Sequence, residues 1–154
     1  MSVIERLRDR CLEVIQDALG IRLPQKWGSP EVVWTRFSRV HATYETDGPI
    51  RLSVELQDKV ENSVGVLAMV HELGHWIDHR SDRLRYYTSS SKEKEFVAVQ
   101  IEALVAMRLK LPLAYLNYGP EMANYYTSAK LAYQVGFEKT RVFLVNYFNL
   151  KLSA

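Results

Sequence analysis

His71-Glu72-Leu73-Gly74-His75 is the run with the most chemistry in it. Two histidines at i and i+4 share one helical face, one turn apart. Their ring nitrogens can converge on a single Zn²⁺ at about 2.0–2.1 Å. Glu72, beside the first histidine, is placed to take the proton of a metal-activated water. The pattern is H-E-x-x-H, and its usual chemistry is metal-assisted hydrolysis of a peptide bond. With 4 histidines in 154 residues, a random chain of this composition matches about one time in a hundred. The functional reading outweighs coincidence.

A catalytic zinc takes three protein ligands and a water. His79 extends the spacing to H-x₃-H-x₃-H, but on an unbroken helix it sits about 12 Å of axial rise from His71. A glycine break followed by a third histidine would need those residues at Asp78 and Ser81, which excludes that arrangement. A carboxylate from a second helix remains, with Glu93, Glu95 and Glu102 as candidates. Glu95, Ala98, Val99 and Glu102 share one stripe, whereas Glu93 lies about 200° from Glu95. Glu95 and Glu102 are about 10 Å apart along the axis, so only one can bind the metal directly. Glu95 is the first choice. It lies in the helix's opening turns, where the macrodipole favours a carboxylate, and Ala98 is small enough to admit another helix. Glu102 is the alternative. Inside the apolar stretch Val97–Met107 it needs a partner, and a zinc histidine, Arg80 or Arg108 would serve.

The residues around the motif have assignable roles. Asp78 falls on the metal-facing stripe and is expected to accept the second N–H of a zinc histidine, or else to pair with Arg80 or Arg83. His79 reads as a histidine favoured by the helix C-terminal dipole, and His41 as structural or exposed. Gly74 in mid-helix costs about 1 kcal/mol against alanine, which points to close packing by a neighbouring element. Trp76, Ile77 and the single Cys11 read as core. Most of the 9 tyrosines are amphipathic packing. A phenol could also donate to an oxyanion, and the carboxy-terminal tyrosines (Tyr118, Tyr125 and Tyr126 among them) are candidates for that role.

Elements that must position these groups follow from local signals. Ser2 and Glu5 form a capping box for a helix from Val3 to Leu19, stopped by Gly20. Val32–Val40 is β-branched and aromatic and reads as a strand. After the Asp47-Gly48-Pro49 turn, Ile50–Leu56 alternates apolar and polar residues, as a half-buried strand does. Such a strand at a sheet edge could bind extended substrate by β-addition. Asp58 and Glu61 read as a capping pair before a motif helix ending near Arg80, and Arg83–Ser91 as polar and irregular. Ser90 and Glu93 open an apolar helix to about Lys110, closed by Pro112. Further helices are expected over Glu121–Val135 and Glu138–Leu150, separated by Gly136.

Composition limits the class. A 47% hydrophobic chain of 154 residues fits one compact α+β domain spanning 1–154. A net charge of +2 and the lack of a basic run argue against nucleic acid. No apolar run reaches the roughly 20 residues of a membrane span. Met1–Arg6 lacks a signal-peptide core, and one cysteine suits a reducing compartment. The expectation is a cytoplasmic protein.

His71-Glu72-Leu73-Gly74-His75-Trp76-Ile77-Asp78, followed by Glu95-Phe96-Val97-Ala98, resembles the gluzincin core of the anthrax-lethal-factor-type metallopeptidases. That core pairs an H-E-[FL]-G-H-x-x-D helix with a later E-F-F-A helix. The resemblance covers roughly Leu67–Met107. It implies a zincin-like α+β fold, with a small, mostly antiparallel sheet packed on the motif helix and a helical C-terminal part. It also implies one zinc per chain on His71, His75 and Glu95, with Glu72 as general base. A tyrosine before the third-ligand helix would act on the oxyanion, which Tyr86-Tyr87 match approximately. The glutamate that follows E-F-F-A in the family is Val99 here. A weaker similarity links the chain to phage and mobile-element metallopeptidases of the ImmA/IrrE type. The expected function is a zinc endopeptidase acting on a polypeptide, a specific protein rather than bulk digestion. The alternative is a zinc-binding regulatory or protein-interaction module with little or no turnover.

Overall fold

In the computed structural model, which describes residues 1–36 and 42–150, helix α1 (Val3–Leu19) opens on the Ser2–Glu5 capping box. Gly20, at φ 70°, closes it in the left-handed conformation that glycine adopts without strain. Its buried stripe of Ile4, Leu7, Cys11, Ile15 and Leu19 follows the three-to-four spacing of an amphipathic helix.

Among the described residues, three short strands follow: β1 (Val32–Thr35), β2 (Ala42–Tyr44) and β3 (Ile50–Ser53). Their order is β1-β3-β2, with β1 parallel and β2 antiparallel to β3. The sheet is therefore mixed rather than mostly antiparallel. The chain reverses direction twice, and β3 inserts between the two earlier strands, so β1 and β3 run the same way. β3 is central, so Ile50–Ser53 offers no free edge for β-addition. The strand also stops earlier than the alternation implies. The Ser53 side chain accepts the Glu55 N–H and turns Val54–Leu56 into a 3₁₀ turn. Of the strand expected over 32–40, the part from 37 onward, like His41, lies outside the described residues.

The motif helix α2 spans Ser63–Ser81. Its cap is Asn62, whose side chain accepts from Val64 and Gly65 N–H, and not the Asp58–Glu61 pair. The Lys59–Asn62 turn folds back on the helix start so closely that a Cβ on Gly65 would stand 2.4 Å from the Lys59 carbonyl oxygen. The segment after α2 is not irregular. Asp82 caps a short helix, α3 (Arg83–Thr88), which Arg85 ties down by bonds to Asp78, Ser81 and the Tyr147 carbonyl.

Helix α4 (Ser91–Arg108) starts at Ser90, whose hydroxyl oxygen accepts the Glu93 N–H. Helices α5 (Ala123–Val135) and α6 (Phe137–Phe148) follow. The chain turns between them at Gly136, φ 95°. α2 and α4 form the central pair, contacted by α1, α5 and α6, with the sheet on α2. At their crossing a Cβ on Gly74 would lie 3.3 Å from Ala98 Cα and 3.2 Å from Ile101 Cδ1. That close approach is the packing reason for a mid-helix glycine. One apolar cluster joins α1, the sheet, α2, α4 and α6. A smaller one, including Leu67, Val99, Ala103, Leu116 and Ala129, joins α2 and α4 to the C-terminal part. Among the described residues, no helix is long and apolar enough to cross a membrane.

Candidate metal centre

The Gly74–Ala98 crossing decides what surrounds the motif. His71 lies one turn before Gly74 and His75 just after it, while Glu95 and Glu102 lie one turn before and after Ala98. With the helices this close, both carboxylates reach the histidines. Glu95 Oε2 is 2.9 Å from His71 Nε2, and Glu95 Oε1 is 3.0 Å from His75 Nε2. Glu102 Oε1 is 2.6 Å from His71 Nδ1. A carboxylate only accepts, so the proton of that contact belongs to the imidazole. Glu102 is 1% exposed, and of the partners open to it in the sequence it takes a motif histidine rather than Arg80 or Arg108.

Charge follows the contacts. Burial opposes a charged His71, yet hydrogen bonds to Glu102 and Glu95 prevail and hold it well above the ordinary histidine range. Burial likewise pushes Glu95 up, but the two imidazoles outweigh it and hold it far below the usual carboxylate range. Glu72 is buried, and desolvation raises it. Among the described residues, its Oε2 is buried without a hydrogen-bond partner.

One ligand atom each from His71, Glu72 and His75 lies within 4.8 Å of the others, compatible with one metal ion. The donor chemistry fits a divalent ion of borderline softness: imidazole nitrogens with carboxylate oxygens. The orphaned Glu72 oxygen is a further sign of fit, because an unpaired buried carboxylate is costly unless something positive or protic faces it.

Two tyrosines from the C-terminal part complete the cluster. Tyr125 donates to Glu95 Oε2 and stacks on His71, with ring centroids 5.4 Å apart. Tyr118 donates to Glu102 Oε2. Burial, reinforced by the adjacent carboxylate, pushes both phenols far above their ordinary range. Tyr86 and Tyr87 instead pack around His79, at 5.2 and 5.4 Å between ring centroids. The sequence carried one hint of these hydroxyls, since a carboxylate inside Val97–Met107 demanded donors. No spacing rule says which element supplies them.

Two neighbouring residues differ from expectation. Asp78 accepts from Arg85, not from His75, Arg80 or Arg83. Among the described residues, its Oδ2 and the Nδ1 of His75 are both buried without partners. His79 lies in the last turn of α2, as expected, but not as a cation favoured by the helix dipole. It is 0% exposed, its Nδ1 is 2.9 Å from the Tyr44 hydroxyl, and burial lowers its affinity for a proton.

An open cleft of about 520 Å³ lies between the first turns of α4 and α5, lined by Glu95, Tyr125, Ser91, Asn124, Thr127 and Ser128. No protein-family model, curated protein or solved structure matches the chain.

Proposed function

We propose that the chain is a zinc-dependent endopeptidase in which His71, His75 and Glu95 hold the metal and Glu72 is the general base. One observation carries this reading: two imidazole Nε2 atoms converge on the two oxygens of one carboxylate, with the buried Glu72 beside them. Zinc held there supplies a Lewis acid that polarises a peptide carbonyl and acidifies water. Glu72 accepts the proton of the attacking water and returns it to the leaving amine. Burial supports that role, because a carboxylate raised above its ordinary range binds the proton more strongly.

Tyr125 takes the hydroxyl-donor role toward charge developing on the carbonyl oxygen, being the phenol already resting on Glu95. Tyr86 and Tyr87, gathered on His79, are replaced by it in this reading. The substrate is a polypeptide entering by the α4–α5 cleft, which opens on Glu95 and Tyr125.

Glu72→Gln tests the mechanism. The amide keeps the side chain's size but cannot take the proton, so zinc content is retained and peptide hydrolysis falls by about 10²–10⁴-fold. A variant that hydrolyses peptides as fast as the wild type overturns the hydrolytic mechanism and leaves the zinc-binding regulatory module in its place.

A further inference from the structure

We propose that Tyr118 is a positioning residue for the metal centre, acting through Glu102 on His71. The inference rests on the metal reading above and extends it from the α2–α4 pair to the C-terminal part of the chain.

His71 is held at both ring nitrogens. Nε2 faces Glu95, and Nδ1 is 2.6 Å from Glu102. The second contact keeps a proton on Nδ1 and leaves Nε2 as the metal-facing atom, the arrangement by which carboxylate partners orient a ligating histidine. Glu102 can do this only while its carboxylate stays aimed at the ring. It is 1% exposed and set among Val97, Ile101, Leu104 and Val105 on the same apolar helix, so water does not satisfy its second oxygen. The Tyr118 hydroxyl does. Without it, Oε2 would be a buried orphan, and the carboxylate would turn away from His71 toward another donor.

The backbone presents Tyr118 for this purpose. Leu116, two residues earlier, is buried in the smaller apolar cluster at 1% exposure. Asn117 Oδ1 accepts the N–H of Gly119, which turns at φ 96°, a conformation that favours glycine. Tyr118 therefore projects from an anchored turn. Although 43% exposed as a residue, it reaches a fully enclosed carboxylate with its hydroxyl. The arrangement is a line of three groups from three elements: Tyr118 O–H to Glu102, and Glu102 to His71 Nδ1–H.

Zinc titration against a chromophoric chelator tests it on the full chain, with no need for turnover. Tyr118→Phe is expected to weaken zinc binding by about 10-fold or more, and Glu102→Gln by about 10–100-fold. The double variant is expected to bind no more weakly than Glu102→Gln alone, because Tyr118 acts only through Glu102. In the zinc-loaded wild type, the His71 Nδ1–H signal in ¹⁵N-edited NMR is expected to be sharp and protected, and in Tyr118→Phe broadened or absent. Tyr133→Phe is the control. It removes another hydroxyl bond of the same region, to the Leu111 carbonyl, without touching the site, and should leave zinc affinity unchanged.

Wild-type affinity in Tyr118→Phe, additive losses in the double variant, or an equal loss in Tyr133→Phe overturns the inference. Wild-type protein that binds no zinc at all overturns the metal reading with it. Zinc binding without hydrolysis overturns only the proposed peptidase activity.

Discussion

Gly74→Ala probes the geometry on which the whole site depends. Two opposite terms compete. Alanine in mid-helix gains about 1 kcal/mol over glycine. The new methyl, however, stands 3.2 Å from Ile101 Cδ1 and 3.3 Å from Ala98 Cα, where carbon atoms prefer about 3.5–4.0 Å. Ile101 is fully buried, which restricts where its end can go, and Ala98 Cα is helix backbone, which yields only by moving α4. Overpacking of this kind costs about 1–3 kcal/mol. The packing term wins, leaving a net destabilisation of up to about 2 kcal/mol. At about 2–4 °C per kcal/mol for a chain of this size, the melting temperature drops by several degrees.

The second readout is chemical. Because α4 carries Glu95 and Glu102 to His71, displacing it by tenths of an ångström should also weaken zinc binding. Gly65→Ala separates the two effects. Its methyl would stand 2.4 Å from the Lys59 carbonyl oxygen, so it should destabilise the fold more. The helix crossing is untouched, and zinc affinity per folded molecule should be retained. Urea denaturation with chelator present gives the stabilities, and zinc titration gives the affinities. A Gly74→Ala protein that is about 1 kcal/mol more stable and binds zinc as well as the wild type would refute the close-crossing argument.

His71→Ala and His75→Ala should each lose bound zinc by elemental analysis, and Glu95→Gln should weaken binding more than Glu102→Gln; the reverse order would exchange the roles of the two carboxylates. Cys11 is fully buried, and desolvation pushes its thiol up to about 12 from an ordinary 9.0, so a disulfide reagent at pH 8 should label it only after denaturation. Since the folded thiol holds its proton more tightly, the stability this provides is complete below about pH 9 and declines as pH rises toward 12; a melting temperature indifferent to that range would contradict the burial of Cys11. Arg85→Ala leaves the buried Asp78 unpaired and removes the bond to the Tyr147 carbonyl, so it should cost about 3–5 kcal/mol; a loss below 1 kcal/mol in urea denaturation would show that Asp78 finds another donor.

Some elements were legible because their determinants are neighbours in sequence. Ser2, Glu5 and Gly20 bracket α1 within a residue of where it begins and ends. The Ser90–Glu93 pair does the same for the start of α4. α3 was not legible. Its six residues are too few to carry a periodicity, and it stands because Tyr86 is buried and Arg85 is anchored to groups on α2 and α6. Asn62 displaced the Asp58–Glu61 pair as the cap of α2 for a similar reason, since the preceding turn folds back against the Gly65 backbone.

The sequence by itself determined that His71, Glu72 and His75 lie together, because a four-residue spacing on a helix is a local, rigid relation. It also determined that Glu95 and Glu102 share a face, and that a carboxylate inside an apolar helix must find a donor. Only the tertiary structure decided that both carboxylates meet His71, one at each ring nitrogen. The same packing decided that Tyr118 and Tyr125 supply the hydroxyls and that β3 lies in the middle of its sheet. Those facts depend on how separate elements dock. Docking is set by many weak long-range contacts, here the Gly74–Ala98 approach above all, and periodicity within one element carries no record of them.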